Sequence, residues 1–261
     1  MILFDHHIHS DRSDGRVSLE DRARSVSLRP HGVSDHYPWR DKMRGDDDVL
    51  RYVDDAARLG LRVGLEYDLG VAPPLRQSTR DALHYLIGAV HQVEVEGVWV
   101  SFSEAGAYLK GQRGAGPFAH AERFVSPELR RRILDRMLAA VREGIDAVGI
   151  DIVGHPTFLP LTALGDPEEV LPVEWQEGLI DLCVRSRVAI ELNESYRVPH
   201  TAFLVRARER GALFSVGSDT HGEIASLDRT EAMIREAALA PGRFLRGERV
   251  RPHRRSTARS S

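Results

Sequence analysis

Short apolar runs that stop abruptly at polar residues recur along the chain: Ile2–His9, Gly32–His36, Leu61–Asp68, Tyr85–His91, Ala147–His155, Val188–Asn193 and Leu213–His221. Stretches with apolar residues three and four apart lie between several of them, at Asp48–Leu59, Pro127–Glu143, Glu174–Arg185, Thr201–Arg210 and Thr230–Ala238. The first set predicts seven strands and the second five helices. Ser126-Pro127 reads as a helix start, and Gly60, Gly144 and Gly211 read as helix stops. Strands alternating with helices predict an α/β fold with a parallel sheet wrapped by helices. Seven strands in one uninterrupted chain favour a closed barrel over an open sheet. Reactive residues of such barrels gather at the C-terminal ends of the strands. Here each run ends in His, Asp, Glu or Asn.

Two stretches fall outside this alternation. Ser101–Phe124, with Gly106, Gly111, Gly114, Gly116 and Pro117, reads as a long loop over the strand ends. Arg246–Ser261 is rich in Arg and Ser and is expected to be a disordered basic tail. That leaves a single domain over residues 1–245.

Composition narrows the class. The chain has 261 residues, 42% hydrophobic and 29% charged, as expected of a globular protein. A net charge of −3 offers no overall basic field for nucleic acid or an anionic membrane. No apolar run approaches a membrane span, and Met1-Ile2-Leu3-Phe4-Asp5 lacks the start of a signal peptide, so a cytoplasmic location is expected. One cysteine, Cys183, excludes an internal disulfide framework and a Cys-based zinc site. Histidine is abundant, with 12, whereas lysine occurs only at Lys42 and Lys110.

The candidate chemistry begins with His7 and His9. Side chains two apart on a strand share a face, so these imidazoles form half a metal site, and Asp14 in the following loop can return toward it. His36, Glu66, His91 and His155 stand at four further strand ends, and Asp219-Thr220-His221 repeats the two-residue spacing at the last. Six histidines and two acids at strand ends, with a loop aspartate, point to bound metal.

The set resembles the PHP (polymerase and histidinol phosphatase) family, over roughly residues 2–221. His7-Ile8-His9 with Ser13-Asp14-Gly15 matches its H-x-H…S-D-G opening, and Asp35-His36 its D-H motif. Glu66 matches its G-x-E, His91 its V-H, Gly154-His155-Pro156 its G-H-P, and Ser218-Asp219-Thr220-His221 its S-D-x-H. The resemblance implies a distorted (β/α)7 barrel and two or three divalent metals, with zinc, manganese and iron all suited to the nitrogen and oxygen donors. It implies one metal on His7, His9, Glu66 and Asp219, a second on Glu66, His91 and His155, and a third on Asp14, His36 and His221. The strand before Asp35-His36 departs from the pattern: Leu28-Arg29-Pro30-His31-Gly32-Val33 is expected to be short or bent.

Such a cluster implies a phosphoesterase. Cations sharing a carboxylate neutralise phosphoryl oxygens and make a water acidic enough to attack phosphorus in line. Glu66 and Asp219 are thus candidate catalytic residues. Arg197, past the sixth strand, is the leading candidate to act with them and clamp the phosphate, with Arg12 and Arg40 as further substrate-binding candidates. His31, His120 and His200 are candidate proton donors to the leaving group. The expected partner is a small phosphorylated metabolite, histidinol phosphate first, which would place the protein in histidine biosynthesis. A phosphodiesterase or nucleotide phosphatase is the alternative within the same chemistry. A metal amidohydrolase would want a bridging lysine that Lys42 and Lys110 do not supply, and a non-catalytic module would have lost ligands, whereas all nine positions are filled.

Overall fold

The computed structural model describes residues 2–95, 97–103, 126–159 and 166–247. Strands β1 (Gly32–Tyr37), β2 (Arg62–Asp68), β3 (Ile87–Ala89), β6 (Ile152–Val153), β7 (Ala189–Asn193) and β8 (Leu213–Gly217) form one sheet in that order. Every neighbouring pair is parallel. Between β3 and β6 an antiparallel hairpin, β4 (Gln92–Val95) and β5 (Val98–Ser101), stands apart from the sheet. The helices are α1 (Leu19–Ser25), α2 (Asp46–Arg58), α3 (Gln77–Ala82), α4 (Pro127–Glu143), α5 (Pro167–Val170), α6 (Val173–Ser186), α7 (Thr201–Glu209) and α8 (Asp228–Glu236).

Alternation sorts the strand residues into two cores. In β2, Val63, Leu65 and Tyr67 face the helices, whereas Gly64 and Glu66 face inward. The helices answer with stripes at helical spacing: Val49, Tyr52, Val53 and Ala56 on α2, and Ile133, Leu134, Met137 and Val141 on α4. Inside the sheet a smaller cluster of Tyr85, Ile87, Ile152 and Ala189 forms a floor. Tyr85 crosses beneath Gly32 and Gly64. A Cβ at Gly64 would lie 2.1 Å from its ring, and one at Gly32 2.3 Å from its hydroxyl, so only glycine leaves the ring its place.

The sheet has six regular strands rather than the expected seven. The expected first strand is present, but as isolated bridges to both edges, from Asp5 to His31 and Val216 and from Ile8 to Thr220. The reason is a bulge. Gly32 N–H donates to the Asp5 carbonyl and Ser34 N–H to the Ile8 carbonyl, so three steps along this segment face two along β1. On its other side His6 N–H donates to Val216 O, and Asp219 N–H to His7 O. The segment therefore joins β1 to β8 and closes the sheet on itself. The extra residue also places His6 in the floor, against Phe4 and Tyr85, while His7 and His9 rise above it.

Other expectations need correction. The strand before Asp35-His36 is neither short nor bent, because β1 pairs with β2 along all six residues. Gly144 does not stop its helix; the chain continues through a π-helical turn, Gly144–Val148, and ends at Gly149 in the left-handed conformation, φ 75°. Gly144 is instead a close-approach position, where a Cβ would lie 2.6 Å from Leu69. Ala147 and Val148 thus belong to that turn, and β6 shrinks to Ile152–Val153. Gly60 and Gly211 do follow helix ends with positive φ. Of the expected Ser101–Phe124 loop, Ser101 closes the β4–β5 hairpin and Phe102 is buried in the core; residues 104–125 lie outside the described residues. Of the expected tail, Arg246 and Gly247 are described, Gly247 lying against Phe4, and residues 248–261 are not.

Candidate metal centre

The nine residues singled out by spacing meet at one end of the sheet. Glu66 is their centre. Its Oε2 lies 2.8 Å from His36 Nδ1, 3.2 Å from His7 Nε2 and 3.5 Å from His9 Nε2. Its Oε1 lies 3.0 Å from both His91 Nε2 and His155 Nε2. Asp219 Oδ1 is 3.2 Å from His9 Nε2, and Asp14 Oδ2 is 3.2 Å from His221 Nε2 and 3.5 Å from His36 Nε2. The parallel register explains the convergence: His36 pairs directly with Glu66, and the remaining groups stand at or just past the C-terminal strand ends.

Burial and mutual charge set the protonation of these groups. Burial pulls the Glu66 carboxyl up, but the imidazoles of His36, His7 and His91 hold it well below the usual carboxylate range. Asp219 is likewise pulled up by burial and held down more strongly by His7 and His9. Burial and the neighbouring His36 charge push His9 down to about 4, so its ring stays neutral with a lone pair free. Burial opposes protonation of His91 too, but Glu66 and Asp68 lift it to about 9.

The donor set suits cations. His7 Nε2, His9 Nε2 and Glu66 Oε2 are buried, face one another and have no hydrogen-bond partner among the described residues. Leaving such an atom unsatisfied costs about 1–3 kcal/mol, which a coordinated ion would offset. Three groups bring nitrogen and oxygen atoms within 4.8 Å of one another: His9, Asp14, His36 and His221; His7, His9 and Glu66; and His36, Glu66 and His91.

Spacing missed the layer behind these residues. Glu191, buried on β7, accepts from His7 Nδ1 at 2.7 Å and from the His155 backbone N–H at 2.6 Å. Asp35 accepts from Ser10 N–H and from the Ser10 and Ser13 hydroxyls, which anchors the loop carrying Asp14. The buried Arg22 donates from Nε and Nη2 to the His9 carbonyl. Glu194 accepts from the Thr230 and Arg229 backbone N–H groups at the start of α8. Of these only Glu191 carries a signal along the chain, a polar residue on a strand between Ile190 and Leu192, which spacing alone does not separate from a ligand.

The arginine candidates take different places. Arg12 Nη2 pairs with Asp55 at 2.9 Å, and the Arg40 guanidinium lies 5.1 Å from the Trp39 ring centre. Arg197 is exposed, with a left-handed φ of 58°. None of the three lines the cavity above Glu66, which holds about 300 Å³ and is walled by Pro38 and Trp39, by Tyr196, and by Asp68. Of the candidate proton donors, His31 is buried beside Asp5 at the far end of β1 from His36. His200 is tied to Glu168, and His120 lies outside the described residues.

No protein-family model matches the sequence, and no curated protein matches it. The fold does have a counterpart. A histidinol phosphate phosphatase from Lactococcus lactis, solved with zinc, L-histidinol and phosphate, superposes with a TM-score of 0.56 over 95% of this chain and 97% of its own, at 12% identity. The chain thus shares the overall fold of that phosphatase. A protein from Bifidobacterium adolescentis described as a metal-dependent phosphoesterase aligns over 89% of this chain and 96% of its own at 16% identity, but its TM-score of 0.34 carries no argument. No helix among the described residues is long and apolar enough to cross a membrane.

Proposed function

We propose that this protein is a metal-dependent phosphomonoesterase acting on a small phosphorylated metabolite, with histidinol phosphate as the leading substrate. The observation that carries the reading is the carboxylate of Glu66 within 3.5 Å of five imidazoles at the C-terminal strand ends. His7, His9, Glu66 and Asp219 would hold one divalent ion, Glu66, His91 and His155 a second, and Asp14, His36 and His221 a third. When bound, these ions supply positive charge against the phosphoryl oxygens and a water that ionises near neutral pH. The residues fix where the phosphate sits, since only a group reaching the base of the cavity meets this cluster. Glu66 and Asp219 hold it in place as carboxylates, with protons displaced from them by the surrounding imidazoles.

The cavity wall supports a small cationic leaving group over a nucleotide. Asp68 and Tyr196 stand on the wall outside the nine ligand positions; Trp39 lines it too, with its ring stacked on His36 and approached by Arg40. Tyr196 is itself stacked on Phe158, ring centres 3.8 Å apart, so its plane is fixed. An imidazole or ammonium group in the cavity would gain ionic contact with Asp68 and cation–π contact with Tyr196.

The deciding experiment is phosphate release by zinc- or manganese-loaded protein, with histidinol phosphate set against nucleoside monophosphates, sugar phosphates and a phosphodiester. The expected result is the highest kcat/KM for histidinol phosphate. In Asp68→Asn its KM should rise more than that of the other esters, on top of a loss shared by all of them because Asp68 also meets His91 Nδ1 at 3.4 Å. Preference for a diester or nucleotide would overturn the substrate. Release from no ester by metal-loaded protein would overturn the activity.

A further inference from the structure

Glu191 reaches two of the proposed metal positions at once. Its side chain is fully buried and points inward from β7. One oxygen takes the His7 Nδ1 proton at 2.7 Å, which turns His7 Nε2 toward Glu66, 3.2 Å away. The other accepts the His155 backbone N–H at 2.6 Å, at a residue whose φ is +24°. A non-glycine backbone in that region is held by its surroundings. Asn193, two residues along the same strand face, extends the link. Its Nδ2 donates to Glu191 Oε2 at 3.1 Å and to Asp219 Oδ2 at 3.2 Å.

The surrounding sequence makes room for this carboxylate. A Cβ at Gly217 would lie 2.1 Å from Glu191 Oε1 and 2.7 Å from His7 Cβ, so the glycine ahead of Ser218-Asp219 is required by Glu191. Burying an ionised carboxylate is costly unless it is paired and hydrogen-bonded. Here three donors satisfy it: His7 Nδ1, the His155 backbone N–H and Asn193 Nδ2.

We infer that Glu191, with Asn193, is a positioning residue that couples the two ion positions around Glu66: it sets the His7 tautomer, holds the His155 backbone and steadies Asp219. Asp14, His36 and His221 contact one another, and although His36 also meets Glu66 at 2.8 Å, none of the three is held by Glu191 or Asn193. The inference rests on the metal-centre reading above. It goes beyond it in assigning one carboxylate outside the ligand set to two positions and not to the third.

The test is zinc content measured across buffered free-zinc concentrations, for wild type, Glu191→Gln and His221→Ala. Gln is isosteric with Glu but cannot satisfy all three donors. Expected for Glu191→Gln is a loss of affinity of about 10- to 100-fold for the two ions around Glu66, with the Asp14–His36–His221 ion retained. His221→Ala should show the opposite pattern. Equal weakening of all positions in Glu191→Gln, or of none, overturns the inference. A wild-type protein that binds no zinc would instead sink the metal-centre reading itself. A second readout needs no folded variant. Histidine ¹⁵N NMR of the zinc-loaded wild type should show His7 protonated at Nδ1, assigned through correlation to its own backbone amide. A His7 protonated at Nε2 overturns the inference.

Discussion

Replacing Gly64 with alanine tests the floor on which Glu66 stands. Both residues face inward from β2, two positions apart, and the Tyr85 ring passes directly under Gly64. The new methyl carbon would lie 2.1 Å from Tyr85 Cε2 and 2.5 Å from Cδ2 and Cζ. Carbon atoms in contact sit about 3.5–4.0 Å apart, so the ring must retreat by more than about 1 Å. It has nowhere to go. Tyr85 is 2% exposed, its hydroxyl meets the Val33 carbonyl at 3.3 Å, and the His6 ring stands edge-on with ring centres 5.1 Å apart. Overpacking of this kind costs about 2–3 kcal/mol. In open space the same substitution would instead stabilise a strand by roughly 0.5–1 kcal/mol, so the sign itself discriminates. Tyr85→Ala alone should cost about 3–5 kcal/mol, and Gly64→Ala added to it nothing further, a coupling of about 2–3 kcal/mol. Urea unfolding in the presence of a chelator, with unchanged m-values, measures all three variants without contribution from metal. Simple additivity of the two single costs would refute the interlocking of Gly64 and Tyr85.

Three further outcomes are expected. Zinc at about 100-fold excess over its dissociation constant should stabilise the fold by roughly 2.7 kcal/mol per ion, seen as a higher Tm in zinc than in chelator; identical melts would contradict a metal centre. Hydrogen bonds from Arg206, together with His200, hold the Glu168 carboxyl down at about 2, against an ordinary value of 4.5. A depressed carboxylate adds stability above its unfolded value and loses it as pH falls through the folded one. The Tm gap between wild type and Glu168→Gln should therefore close as pH falls from 4.5 to 2; a gap that persists at pH 2 would show that the link is not ionic. Burial pushes the Cys183 thiol up to about 12, so a thiol reagent at pH 8 should label it only on unfolding, and rapid labelling of native protein would displace Cys183 from the core.

The sequence by itself determined the alternation of strands and helices and the set of candidate ligands, because both follow from periods along the chain. Two-residue spacing put His7 with His9 and Asp219 with His221. Helical spacing marked Pro127–Glu143 to the residue. What the tertiary structure decided concerns distance between residues far apart in the chain. The bulge at Asp5–Ile8 exists only relative to β1, so no local pattern marks it, yet it decides that His6 lies in the floor and His7 in the site. Gly144 carries the same signal as a helix stop but is a glycine because Leu69 presses on it. Arg12 and Arg40 stand near the site in sequence, but Asp55 and Trp39 take their guanidinium groups. Glu191 lies inside the Val188–Asn193 run, where its period along the chain does not show what it touches. Its neighbours His7 and His155 are 184 and 36 residues away, and only folding brings their N–H groups to its two oxygens.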